Sequence, residues 1–166
     1  MIRQAKMADA QGILTLREAL VTETQFMLHE PGEEAFNLSN QEAILADFIS
    51  STHKVFWVVE MEGAIVGFCV GLGSLARRNK HSLYCVMGVL QAYTGQGLGA
   101  LLLDALESWA QSAGFSRIEL TVMAHNHKAR KLYLKQGFEE EGIKRQSLKV
   151  DGHYVDEIYM SKLFDC

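Results

Sequence analysis

The segment Gly95-Gln96-Gly97-Leu98-Gly99 constrains this chain more than any other, because its three glycines fall where an apolar strand candidate hands over to an amphipathic helix candidate. The first amides of a helix have no intrahelical acceptor, so several N–H groups point outward from such a turn. Glycine permits positive φ and lets a bulky anion approach the main chain, which a β-carbon tends to block. The segment therefore reads as an anion cradle suited to a cofactor that carries a pyrophosphate.

The rest of the pattern sets the frame around that turn. Ile2 to Ala5 reads as a short strand, and Asp9 stands where it can cap a helix bearing Ile13, Leu14, Leu16 and Leu20. A loop from about Gln25 to Leu38 precedes a Ser39-x-x-Glu42 capping box and a second helix, with Ile44, Leu45, Phe48 and Ile49 as its buried stripe. Two β-rich stretches, Val55 to Met61 and Ala64 to Leu72, flank a Glu62-Gly63 turn. Ser82 to Leu90 is apolar on both faces, the mark of a central strand covered on each side. Leu98 to Ala113 reads as a helix with Leu101, Leu102, Ala105, Leu106, Trp109 and Ala113 inward, stopped at Gly114. A strand from Ser116 to Met123 follows, then a helix from Asn126 to Gln136 ended by Gly137. Phe138 to Val150 and Tyr154 to Leu163 close the chain around an Asp151-Gly152 turn. The order β-α-α-β-β-β-α-β-α-β-β predicts an α/β (α+β) chain, a mixed sheet with helices on both faces, in one domain spanning residues 1–166.

Composition narrows the partners. A formal charge of −4 disfavours nucleic acid, whose phosphates call for a basic face. No apolar run reaches the roughly 18 to 20 residues of a membrane span. Arg3, Lys6 and Asp9 are followed by no apolar block, so no secretory or transit signal is read and the cytoplasm is the expected compartment. Cys69, Cys85 and Cys166 are read as free thiols. The histidines lack the ligand spacing of a metal site, and none is expected. A small molecule is the expected partner.

Three cofactor classes compete for the glycine turn. A phosphate loop of the NTPase kind requires a lysine after its last glycine, and none follows here. The dinucleotide pattern is closer: Gly95, Gly97 and Ala100 fit Gly-x-Gly-x-x-Ala, with Glu119 some distance on. That fold, however, opens with its glycine turn and continues in βα repeats, whereas here a long segment precedes the turn and a β-hairpin ends the chain.

From Val86 to Phe138 the sequence resembles the GNAT acetyltransferase superfamily. The resemblance rests on Met87-Gly88-Val89, on Thr94-Gly95-Gln96-Gly97-Leu98-Gly99 set against Gln/Arg-x-x-Gly-x-Gly/Ala, and on Leu101 and Leu102. It continues through Ile118 to Val122, Asn126, Ala129, Leu132, Tyr133, Gly137 and Phe138. Thr94 replaces the usual Gln or Arg but offers its backbone NH, and the proline often found after the strand is absent. The resemblance implies a mostly antiparallel sheet of about seven strands and acetyl-coenzyme A as the acetyl donor. It implies that the main chain of Met87, Gly88 and Val89 pairs with pantetheine, an NH near Val89 facing the thioester oxygen. The amides of Gly95, Gln96, Gly97, Leu98 and Gly99 take the pyrophosphate.

Asn126 and Tyr133 lie seven residues apart and so address one groove from one helix face. By resemblance Asn126 contacts pantetheine, and Tyr133 protonates the departing thiolate, a role suited to a group with a reference pKa near 10. Arg130 is placed at a coenzyme phosphate. The central strand lacks the carboxylate base of some relatives, so a water relay is expected in its place; Glu119, His81 and Glu30 are the alternatives for starting it, and none is assigned as catalytic. Acidic residues cluster in the first loop (Glu23, Glu30, Glu33, Glu34) and the final hairpin (Glu139, Glu140, Glu141, Asp151, Asp156, Glu157), which favours a cationic amine. The hairpin is similar to those of spermidine and diamine acetyltransferases and of ribosomal-protein N-terminal acetyltransferases, leaving a polyamine-like amine or a peptide N-terminus as acceptor. Homodimers are common in the superfamily. A coenzyme A-binding regulatory module without catalysis is the alternative that the missing base suggests.

Overall fold

The computed structural model describes residues 1–33 and 37–164, so Glu34 and Cys166 lie outside the described residues. The chain runs β1 (Ile2–Gln4), α1 (Ala10–Glu23), α2 (Leu38–Ser50), β2 (Lys54–Met61), β3 (Ala64–Gly73), β4 (Ser82–Val89) and α3 (Leu98–Ser112). It continues as β5 (Arg117–Met123), α4 (His127–Lys135), β6 (Glu139–Val150) and β7 (His153–Leu163). The element order is the one expected from the sequence pattern.

All seven strands join one sheet in the order β1-β2-β3-β4-β5-β7-β6. Glu62 and Gly63 (φ 52° and 81°) turn β2 into β3, and Asp151 and Gly152 (φ 49° and 78°) turn β6 into β7. Positive φ at both turn residues matches the right-handed twist of the flanking strands, so each pair closes as an antiparallel hairpin. The crossover through α3 makes β4–β5 the parallel pair of an otherwise antiparallel sheet.

Strand alternation sorts neighbouring residues into two cores. Val59, Cys69, Leu83, Cys85, Ile118 and Leu120 pack with Leu98, Leu102 and Leu106 of α3 and Tyr133 of α4. Val58, Phe56, Phe68 and Val70 pack with Ile13, Leu16 and Leu20 of α1 and Leu45 of α2. Each such side chain contributes about 1.5–3 kcal/mol relative to exposure, which is what holds the helices on opposite faces.

Several local expectations are corrected. Asp9 does precede α1, but its carboxylate makes no cap bond to that helix. It instead takes two bonds from the Arg3 guanidinium, at 2.7 and 2.8 Å, and one from the Lys6 amide. Arg3 also reaches Glu60, tying the first strand to both β2 and the approach to α1. A charged donor outcompetes the helix amides for a buried carboxylate. The cap of α2 is Asn37, whose side chain accepts from the Asn40 amide at 2.8 Å, so the helix starts before the Ser39 box. Its inward stripe is Gln41 and Leu45 with Phe48, while Ile44 and Ile49 are exposed. In α3, Leu101 is exposed and Leu103 and Ala110 are buried instead. Tyr84 is 36% exposed, so β4 is not covered on both faces along its whole length.

Candidate active site

β4 and β5 begin side by side and then part. Their parallel register holds for Ser82–Arg117, Leu83–Ile118 and Tyr84–Glu119 and goes no further. β4 stays zipped to β3 as far as Val89, and β5 to β7 as far as Met123, so a wedge-shaped gap opens toward the C-terminal ends of both strands. The Tyr84 hydroxyl lies 3.0 Å from Thr121 Oγ1 and staples the strands at the vertex. Leu90 donates its amide to Val66 O at 2.9 Å. Because an antiparallel ladder alternates its bonding direction, Gly88 and Val86 also face β3, whereas Val89 and Met87, beyond the last β4–β5 pair, aim N–H and C=O into the gap. No strand among the described residues pairs with them there, and an extended ligand arm entering the gap meets a free strand edge. Gly88 serves packing: a β-carbon there would stand 3.1 Å from both Leu20 of α1 and Phe68.

The glycine turn stands at the mouth of this gap. Gly95 and Gly97 have φ near +80°, and nothing lies within 4 Å of where their β-carbons would be. Among the described residues no acceptor takes the amides of Gly95, Gln96, Gly97, Leu98, Gly99 or Ala100; the first helical bond is Leu101 N to Gly97 O. Six consecutive donors are thus available at a helix N-terminus, where the dipole favours an anion. Thr94 departs from its expected part, since its amide and its hydroxyl both donate to Gln91 O and close the preceding turn. Gly99 has a packing role: a β-carbon would stand 2.8 Å from Leu132, so the glycine brings α3 and α4 together.

Helix α4 brings Asn126 and Tyr133 toward the same region. Asn126 caps the helix through Oδ1, which accepts from Ala129 N at 3.3 Å. Tyr133 is buried against Phe138, ring centroids 5.7 Å apart, within the core that holds Cys85 and Cys69. Burial, and then the nearby Cys85 and Cys69 thiols, push its hydroxyl well above the ordinary tyrosine range, so it holds its proton more tightly than a free tyrosine does. The two thiols lie 3.7 Å apart, unbridged. Arg130 holds the Ala124 carbonyl and the Glu140 carboxylate, each at 2.7 Å, and thereby braces α4 to the β5–α4 turn and to β6.

The expected acidic and basic starting points separate in space. His81 precedes β4 at the closed end, where its carbonyl accepts from Ser116 and Arg117, about 26 Å along the strand from Val89. Glu119 is held there too, by Ser82 Oγ at 2.7 Å. Glu30, in contrast, lines a cleft of about 590 Å³ at the open end. Val21, Glu23, Met27, Met123, Leu148 and Asp151 are among its other walls. The loop after α1 roofs it, pinned by a Gln25–Asp151 hydrogen bond and by Phe26 against the His125 ring at 5.1 Å. Glu23, read from the sequence only as part of an acidic loop, accepts the Gln91 amide at 2.8 Å and so joins the cleft to the end of β4. No local motif marks that contact.

Residues 16–138 match the model of the Acetyltransferase (GNAT) family. The uncharacterized N-acetyltransferase YhfO of Bacillus subtilis is 30% identical over 143 residues, 84% of this chain and 90% of its own. An acetyltransferase of the GNAT family from Streptococcus pneumoniae superposes with a TM-score of 0.94 at 28% identity, covering 99% of both chains. The yncA structure of Salmonella typhimurium, solved with its cofactor acetyl-CoA, gives a TM-score of 0.89 over 99% of this chain and 94% of its own. Its identity of 20% makes that a likeness of fold alone.

Proposed function

Because this chain belongs to the GNAT family of acetyltransferases, we propose that its split sheet and glycine turn hold acetyl-coenzyme A while a primary amine attacks the thioester directly. The chain is an N-acetyltransferase, and acetyl-coenzyme A is its co-substrate. The observation that carries the residue-level reading is the continuity of unpaired main chain. The edge groups of Met87 and Val89 lead to six open amides, Gly95 to Ala100.

Acetyl-coenzyme A supplies an activated acyl carbon and a thiolate leaving group. The edge of Met87 and Val89 binds the pantetheine arm, and the Val89 amide polarises the carbonyl oxygen. Gly95, Gln96, Gly97, Leu98 and Gly99 donate amides to the pyrophosphate. Gly88 shapes the strand, Thr94 sets the turn, and the Asn126 amide reaches the arm from the start of α4. A phosphate contact by Arg130 requires it to exchange its Glu140 partner. As the amine nitrogen bonds to the carbonyl carbon, the C–S bond breaks, Tyr133 Oη gives its proton to sulfur, the proton released by the acylated nitrogen leaves to solvent, and Tyr133 regains a proton from solvent. The acceptor is a polyamine-like amine or a peptide N-terminus.

Calorimetric titration with acetyl-coenzyme A tests the donor site, and absence of heat at millimolar donor removes the reading. Tyr133→Phe is expected to lower kcat about a hundredfold while leaving donor affinity within twofold. Unchanged turnover would take the proton-donor role away from Tyr133.

A further inference from the structure

The open-end cleft has a composition that selects among amines. Its apolar lining comes from Val21, Met27, Leu28, Met123, Leu148 and Val150. Its other polar groups are mostly engaged. Asp151 accepts from Gln25, Lys149 holds its ammonium 5.5 Å over the Tyr154 ring, and His29 Nδ1 stands 3.5 Å from Glu33. Glu23 is the carboxylate fixed at the reacting end, because Oε1 is anchored by the amide that follows β4. Glu30 and the Gln25-bound Asp151 are the other carboxylates of the wall.

Resting on the acetyltransferase reading above, we propose that this cleft accepts an α-amine flanked by an aliphatic side chain and an amidated carboxyl group, with its ammonium seated at Glu23. The argument is one of desolvation. An ammonium leaves water at low cost only where a carboxylate receives it, and Glu23 provides this beside the end of β4. An aliphatic side chain gains by burial against the six apolar side chains. A free carboxylate next to the amine meets Glu23 and Glu30 with the Lys149 cation turned to Tyr154, so a free amino acid is disfavoured. A second ammonium on a linear polyamine has only Glu30 to receive it, since Asp151 is held by Gln25, and its linear chain covers less of the apolar wall than a branched side chain does.

Leucinamide, a Leu-Ala-Ala peptide amide, leucine and spermidine are compared as acceptors with saturating acetyl-coenzyme A. Leucinamide or the peptide is expected to exceed both leucine and spermidine at least tenfold in kcat/KM. The peptide exceeding leucinamide assigns a polypeptide N-terminus, and the reverse assigns a small amide. Glu23→Gln is expected to weaken leucinamide binding about tenfold or more, read by calorimetry without donor, with the thermal midpoint and donor affinity kept. Equal or better use of leucine or spermidine, a loss carried by Glu30→Gln in place of Glu23→Gln, or donor binding with no amide acetylated would each overturn the proposal. Failure to bind acetyl-coenzyme A would instead sink the acetyltransferase reading itself.

Discussion

Two glycines of one motif do different work. Gly97 sits at φ 80° with open space where a side chain would go, so the conformation alone asks for glycine; Gly99 has ordinary φ but faces Leu132. Gly97→Ala costs about 1 kcal/mol of left-handed strain and places a methyl at the donor amides. It is expected to weaken acetyl-coenzyme A binding several-fold with a small drop in Tm. Gly99→Ala pushes against a flexible leucine terminus 2.8 Å away, so it is expected to lower Tm more than donor affinity. Calorimetry and thermal melts on the two variants separate these effects, and equal behaviour would contradict the assignment. Tyr133 and Asn126 show the limit of reading single residues. Their shared helix face follows from spacing, whereas the burial that tightens the tyrosine's hold on its proton comes from Phe138 and the thiol-bearing strands.

At the scale of elements, the decisive feature is an interruption. β4 is held on one side by β3 along its length and abandoned on the other by β5 after Tyr84–Glu119. An unpaired edge inside a sheet leaves polar main chain without partners, a state that a ligand can relieve. The Met87 and Val89 amides are therefore expected to exchange with deuterium far faster than Gly88 and Val86, which face β3. Added acetyl-coenzyme A is expected to slow Met87, Val89 and the amides of Gly95 to Ala100 together. Hydrogen exchange resolved by residue checks this, and protection of Met87 and Val89 already present in the free protein would contradict it. The parallel neighbour is legible from the crossover through α3, but the point at which pairing stops is not, because β5 follows the twist of its own partner β7.

Across the whole molecule, the C-terminal half of the sheet is tied by a charge network on β5, β6 and β7. Arg117 holds Glu141 through two bonds of 2.9 and 2.6 Å, and Ser161 Oγ adds a third at 2.7 Å. The Arg117 guanidinium first, then Ser161, hold the Glu141 carboxyl down to about 2. A folded pKa below the unfolded one means that the unfolded chain binds the extra proton, so this contribution is complete above the unfolded value of about 4.3. It is lost as pH falls through about 2. Glu141→Gln is expected to flatten the loss of stability between those two values, read as urea midpoints at a series of pH values. The effect is modest because the pair is partly exposed and screened. A slope identical to that of the parent chain would show that the pair carries no pH-dependent stability.

The sequence by itself determined the order of elements, the two tight hairpin turns, the glycine stops at Gly114 and Gly137, and the open amides of the anion turn. These depend on side-chain periodicity and on which residues tolerate positive φ, and both properties are local. Only the tertiary structure decided that Asp9 turns to Arg3 instead of capping α1, that Asn37 caps α2, and that Thr94 closes its own turn. It also decided where β4 and β5 part and that Glu23 meets the Gln91 amide across 68 positions of chain. For the side chains, several partners compete for one polar group and the surrounding packing decides which comes within reach; for the strands, the twist of each toward its own outer partner decides where pairing ends.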